Sequence, residues 1–302
     1  MLILLILLIN VIYALVSPIS KLALQYSTPM FLAAFRMIFA GFLTLLYQCF
    51  FVKERLEISK KSFLTLVFGG ILSIYVAGIL EFCSLENLAS SKIGFLYNLY
   101  PMAAALISYL IINEKLSSNK WVGLFIGFLG ALPLLLSTFQ GDVPLHRYFG
   151  ILSLSEIAVI ASIFACPLGW IPVQIDISNN KYSTNIALGI TQIIGGMIAL
   201  LNSFLLDTWD PIPVFDLKNF LISSIILTLF SNILANILYI ELLKKYTYTF
   251  IAFSGFLTAF LTAFFDWAFF GYGINVSFYL STLISLIGFY LFYKEEFKIG
   301  KE

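Results

Sequence analysis

Charge is what this chain of 302 residues has least of: Lys, Arg, Asp and Glu make up 11% of it, against about 25% in an ordinary soluble domain. The few charges nearly cancel, to a net +1, which leaves nothing for nucleic acid to bind. Three cysteines, Cys49, Cys83 and Cys166, all fall in apolar runs. An odd count with no exposed pair excludes a disulfide framework and suits packing residues. There is no GxxxxGK[ST] phosphate loop, no HExxH and no paired GxGD-like aspartates, and the one histidine is His146. Nucleotide-driven work and intramembrane hydrolysis therefore lack the residues they need. No metal or cofactor is expected.

What the chain does have is apolar length. Ten stretches, 2–24, 29–52, 62–85, 90–112, 121–139, 148–171, 183–206, 219–240, 248–270 and 275–293, each approach the span of a bilayer. A hydrocarbon core of ~30 Å takes about 20 helical residues, because only a helix satisfies its backbone there without water. The spacing predicts an all-α polytopic membrane protein with ten transmembrane helices. A molecule with so little mass outside the membrane is expected to move something across it. The first stretch has no basic leader and no small-x-small cleavage site after it, so a retained helix is expected rather than a signal peptide.

The basic residues set the orientation. Twelve fall in the connections 2–3, 4–5, 6–7 and 8–9 and in the tail; Lys21, Lys92, Arg147 and Lys218 fall on the other side, and Arg36 lies within a span. Short cytoplasmic loops retain Lys and Arg, which places both termini in the cytoplasm.

The longest polar connection, 140–147, divides five spans from five. Ser17-Pro18-Ile19 answers to Ile171-Pro172-Val173, Arg36 with Ala40-Gly41 to Gln192 with Gly195-Gly196, and Leu129-Gly130 to Ile287-Gly288, at offsets drifting from 154 to 158. This predicts repeats over 1–139 and 148–293, followed by a tail over 294–302. Five is odd, so the halves insert in opposite senses. Inverted repeats place a substrate site at their interface near the midplane.

Residues 100–130, YPMAAALISYLIINEKLSSNKWVGLFIGFLG, resemble the end of an EamA domain of the drug/metabolite transporter superfamily. They have a Pro opening span 4, small residues, Asn-Glu-Lys-Leu, a Trp and a glycine-rich fifth helix. Tyr13-Ala14, Pro18 and 29–41 resemble that domain's first two helices; in the second half Ala259 and Tyr272 replace the Pro and the Glu. The resemblance implies a central cavity enclosed by helices 1–4 and 6–9, with helices 5 and 10 peripheral. Gly123, Gly127 and Gly130 in span 5, and Ser281, Ser285 and Gly288 in span 10, form small-residue stripes. These suit either packing within the chain or a homodimer through helices 5 and 10.

Charges inside the apolar spans are the candidate site. Arg36, Glu81, Glu156 and Asp266 lie in spans 2, 3, 6 and 9, all in the outer half of the membrane, where ionisable groups are costly and face protein or water. Glu156, eight residues into its span, has least access to the interface; Glu81 and Asp266, near span ends, can also snorkel. Asn10 and Tyr13, Tyr97 and Asn98, Gln192, and Asn232 with Asn236 add neutral polar groups at helical intervals. Trp170 can grip a planar or cationic ligand, although most aromatics of such a chain face lipid or the interface.

The expected function is secondary transport, by alternating access, of a small polar metabolite through a bacterial inner membrane. Phosphorylated substrates would want several buried bases, and only Arg36 is clearly one. The acidic, aromatic lining suits an amino acid, an amine or S-adenosylmethionine, and that ranking rests partly on the resemblance. Export of other metabolites or drugs is the alternative; a channel or an intramembrane enzyme stands lower.

Overall fold

The computed structural model describes residues 2–52, 58–113, 116–137, 148–149, 152–235, 238 and 248–294. Seven helical stretches are long and apolar enough to cross a membrane: Leu4–Ala23, Pro29–Val52, Lys60–Leu85, Ser90–Ile112, Ser118–Leu135, Leu154–Ser178 and Thr184–Leu206. Shorter apolar helices follow at Leu217–Asn232, Leu257–Phe270 and Val276–Phe292. The protein is an all-α polytopic membrane protein. Among the described residues its only strands are β1 (Tyr148–Phe149) and β2 (Leu152–Ser153), an antiparallel pair.

In chain order the helices are α1 (Leu2–Ala23), α2 (Pro29–Tyr47), α3 (Lys60–Gly69), α4 (Ala77–Leu85), α5 (Ser90–Leu96), α6 (Tyr100–Ile112), α7 (Ser118–Gly130) and α8 (Leu132–Leu135). Then come α9 (Leu154–Ser178), α10 (Thr184–Leu206), α11 (Leu217–Leu227), α12 (Tyr248–Phe270) and α13 (Val276–Tyr293). Their ends follow local chemistry. Ser59, Ser117, Ser183, Asp216 and Asn275 cap α3, α7, α10, α11 and α13 by accepting a backbone N–H, which satisfies a donor the helix leaves orphaned. Asn113 and Asn180 end α6 and α9 in the left-handed region, at φ 56° and 54°.

Three spans depart from plain α-helix in the same way, the second span closing on a π-helical segment at Gln48–Val52. A further one, Gly70–Val76, joins α3 to α4, and another, Thr228–Leu234, continues α11. These last two have equal length and stand 158 residues apart. A different break divides α5 from α6, where Tyr97–Leu99 form a 3-10 turn. The sixth span starts later than expected, at Leu154, because Tyr148–Phe149 and Leu152–Ser153 form the strand pair.

The chain forms two compact units. Unit 1 comprises Met1–Pro18, Asn87–Ile160 and Ala235–Glu302. In it α7 packs along α13, and α5 along α12. The α7–α13 contact is close because it is built on glycine: a Cβ at Gly123 would lie 2.6 Å from the Gly288 carbonyl and 2.5 Å from the Phe292 nitrogen. The small-residue stripes of these helices are thus spent on each other, and a homodimer through them would have to use their other faces. Phe95, Phe260 and Phe278 form an aromatic cluster beside this seam.

Unit 2 comprises Ile19–Glu86 and Ala161–Leu234. Its main seam is α2 against α10, where a Cβ at Gly41 would meet the Gly189 carbonyl at 2.7 Å. The Gly70–Val76 segment also lies on α10, and Ser73 Oγ donates to the Cys166 carbonyl at 2.6 Å. Leu66, Val173, Tyr182, Ile186 and Ala187 make an apolar core at one end. Phe31, Phe35, Trp209 and Phe220 pack together elsewhere in the unit.

Candidate functional site

In unit 1 the expected acids find specific partners. Glu156 is the third residue of α9, not the middle of a span, since the helix begins at Leu154. Its Oε2 accepts from the Ser153 backbone N–H at 2.6 Å and the Ser153 hydroxyl at 2.8 Å, while its own N–H donates to Ser153 Oγ at 3.3 Å. That is a reciprocal capping box, in which the acid also sits at the favourable positive end of the helix. Its other oxygen, Oε1, lies 2.6 Å from Lys92 Nζ. The ammonium donates as well to the Ser137 carbonyl at 2.9 Å, next to α8. Both partners are buried, Lys92 to 1% exposure and Glu156 to 5%.

Lys92, counted in the sequence among outer-connection charges, is folded into the first turn of α5, whose cap is Ala89. A cation at a helix N-terminus is unfavourable, and the Glu156 carboxylate offsets this. Asp266 of α12, 1% exposed, completes the same helix end: its Oδ2 accepts from the Ser91 N–H at 2.6 Å. Unit 1 thus holds one buried base and two buried acids on three helices.

Neutral groups form a second layer there. Asn10 of α1 donates to the Ile6 carbonyl at 2.7 Å and accepts from Thr258 of α12 at 2.7 Å. Thr262, one turn along, reaches the Ala14 carbonyl at 3.3 Å. Tyr13 is 37% exposed. Tyr97 and Asn98 both lie in the 3-10 turn, and the Asn98 Nδ2 is buried without a hydrogen-bond partner.

Unit 2 is organised around Arg36. Its guanidinium is 7% exposed and donates to Ser231 Oγ at 2.7 Å, Asn232 Oδ1 at 3.3 Å and Ser20 Oγ at 3.5 Å. It also lies 5.6 Å from the Phe82 ring centroid, a cation–π distance. Glu81 precedes Phe82 on α4. Ser231 and Asn232 belong to the π-helical segment, the kind of local widening that often marks functional positions. Gln192 of α10 is 4% exposed and its Oε1 has no hydrogen-bond partner. Trp170 packs against the Leu66–Val173 core. Asn236 lies outside the described residues.

The sequence reading did not name the partners that these side chains find: Lys92, Ser137, Ser20, Ser231 and Phe82. One of these links was legible, since Ser153 and Glu156 stand at capping-box spacing. A further buried acid also went unread. Asp176, 6% exposed, pairs with Lys181 at 2.6 Å where α9 turns into α10. Among the described residues no group of His, Cys, Asp and Glu could hold a metal ion.

Comparison with known proteins gives this arrangement a context. The EamA-like transporter family matches residues 1–136. A protein of Chlamydia muridarum described as an S-adenosylmethionine/S-adenosylhomocysteine transporter is 28% identical over 93% of this chain and 88% of its own. Proteins of two Chlamydia trachomatis serovars, described in the same words, are 28% identical over 93% of this chain and 86% of theirs. One solved crystal structure covers 94% of both chains with a TM-score of 0.59 at 13% identity, which shows a shared fold alone. Residues 1–136 match the EamA-like transporter family, and the apolar helices make the chain an integral membrane protein.

Proposed function

We propose that this protein is a secondary transporter of S-adenosylmethionine and S-adenosylhomocysteine in a bacterial inner membrane, working by alternating access. The observation that carries the reading is likeness over 93% of the chain to relatives described as transporters of those two compounds. The geometry is in keeping with it. Both compounds present an amino-acid carboxylate, and Arg36 offers a buried guanidinium whose hydrogen bonds go to neutral hydroxyls and an amide. A carboxylate approaching that fork would trade weak neutral partners for a charge-assisted pair. Glu81 and Gln192 complete the polar set of this unit.

The architecture we propose is ten spans in two inverted repeats, 1–139 and 148–293, with both termini in the cytoplasm. The π-helical segments at equivalent places in spans 3 and 8 support it. So does the packing of α2 on α10 and of α7 on α13, each pairing a helix with its counterpart.

The test is uptake of labelled S-adenosylmethionine into proteoliposomes preloaded with S-adenosylhomocysteine. Saturable uptake accelerated by the internal compound is expected. Uptake no better than protein-free vesicles, with movement of other metabolites or drugs instead, would favour the export alternative. Single-cysteine labelling at each terminus checks topology: a terminus reactive from outside would overturn the even span count.

A further inference from the structure

The fourth span, Ser90–Ile112, is continuous in sequence but broken in structure. Pro101 has no N–H, so the Tyr97 carbonyl lacks its α-helical donor and takes the Tyr100 N–H instead. Within that turn Asn98 is half-buried, and its Nδ2 is buried with no acceptor. An unsatisfied buried donor is a cost a fold does not carry idly. Asn98 stands eight residues into a membrane-spanning helix, and a carboxamide turned to hydrocarbon would be worse still. Its exposed part therefore faces a polar interior.

The neighbouring helix shows what lies at that level. Ser91 meets Asp266, and a Cβ at Gly94 would lie 3.2 Å from the Thr262 hydroxyl. Numbers rise along α5 as they fall along α12, so the two run antiparallel. One more turn brings Asn98 level with Thr258, which donates to Asn10. Thr262 closes on the Thr258 carbonyl at 2.8 Å. Every group in this layer is neutral, whereas Lys92, Glu156 and Asp266 lie at helix ends beyond it.

We propose that the turn at Tyr97–Leu99, level with Thr258 and Asn10, is the subsite for the neutral nucleoside part of the substrate, with the Asn98 carboxamide donating to an acceptor on it. The assignment rests on the transport reading above. A nucleoside offers ring nitrogens and ribose oxygens as uncharged acceptors, and an asparagine amide matches an adenine edge in both donor and acceptor. Asn98 thus acts as a specificity-determining residue.

The test uses the purified full-length chain and three probes: adenosine, methionine and S-adenosylhomocysteine. The wild type is expected to bind all three. Asn98→Leu keeps the volume and removes the buried donor. Its unliganded unfolding temperature should be no lower than the wild type's, while adenosine and S-adenosylhomocysteine bind at least tenfold more weakly and methionine is unchanged. Thr258→Val, a smaller perturbation that serves if Asn98→Leu does not fold, should weaken adenosine a few-fold in the same pattern. Wild-type adenosine affinity in both variants, equal loss of adenosine and methionine, or no adenosine binding by the wild type would overturn the subsite. Adenosine bound with neither S-adenosyl compound would leave the subsite standing and sink the transport reading instead.

Discussion

Replacing Glu156 by glutamine keeps the side chain's length and its reach to Ser153 and removes the charge that Lys92 pairs with. A capping box accepts Gln in place of Glu, so the start of α9 should survive. Lys92, 1% exposed, would then keep the Ser137 carbonyl but lose its carboxylate. Breaking a buried pair from one side costs roughly 3–5 kcal/mol, because the remaining charge is stranded. That is roughly two to nearly four orders of magnitude in the folded-to-unfolded ratio, a large share of any domain's net stability. Removing both charges with Lys92→Met in the Glu156→Gln background strands nothing, and most of the loss should return. Reversible unfolding of the detergent-solubilised protein, followed by tryptophan fluorescence in a double-mutant cycle, measures this. A coupling of about 2 kcal/mol or more is expected, the buried pair setting the scale. If Glu156→Gln matches the wild type, or the double variant is no better than the worse single one, the ion pair does not hold the two helix ends together.

Arg36→Lys keeps the charge but loses the planar fork that reaches Ser231 and Asn232 together; uptake should fall by about tenfold and Arg36→Ala further, with folding checked by gel filtration. Gly288→Val drives a side chain into α7, where even a Cβ would stand 2.8 Å from the Gly123 carbonyl; overpacking on the order of 1–3 kcal/mol should lower the melting temperature, and an unchanged one would refute the glycine seam. Burial first, then the Asp176 charge, push the Tyr182 phenol up from its ordinary 10.0. The folded state therefore favours the neutral phenol, a stabilisation complete below that ordinary value and lost as pH rises past it. Tyr182→Phe should flatten the alkaline side of a stability–pH curve and leave the neutral range alone.

Much of this was legible because membrane solvent imposes simple rules. Apolar length foretold most spans, and Arg36, Glu156 and Asp266, charges inside apolar runs, are buried with polar partners. Partners were harder to read, since an ion pair between positions 92 and 156 leaves no local trace. Lys92 looked like a loop residue because positive charge near a span end normally snorkels; α5 instead starts two residues before it, and Glu156 pairs with it. Glu156 looked deep because the apolar run begins at 148, but Tyr148–Phe149 and Leu152–Ser153 pair as strands and the helix waits for its Ser153 cap. The π-helical segments have no residue signature, being decided by how α2 and α10 pack around them. The break at Tyr97 was foreshadowed only by Pro101.

The Lys92 contacts also carry a consequence for how the protein is made. Lys92 leaves the ribosome 64 residues ahead of Glu156, and Ser91 leaves it 175 ahead of Asp266. At about 5–20 residues per second, the lysine waits roughly 3–13 s for its counter-ion. During that interval the start of the fourth span waits for the Glu156 carboxylate and the Asp266 acceptor. Residues 1–136, the extent of the family match, contain the lysine and neither acid. Synthesised alone, that first half would be left holding a stranded cation, and its end of unit 1 can close only after the second half has been threaded into the membrane.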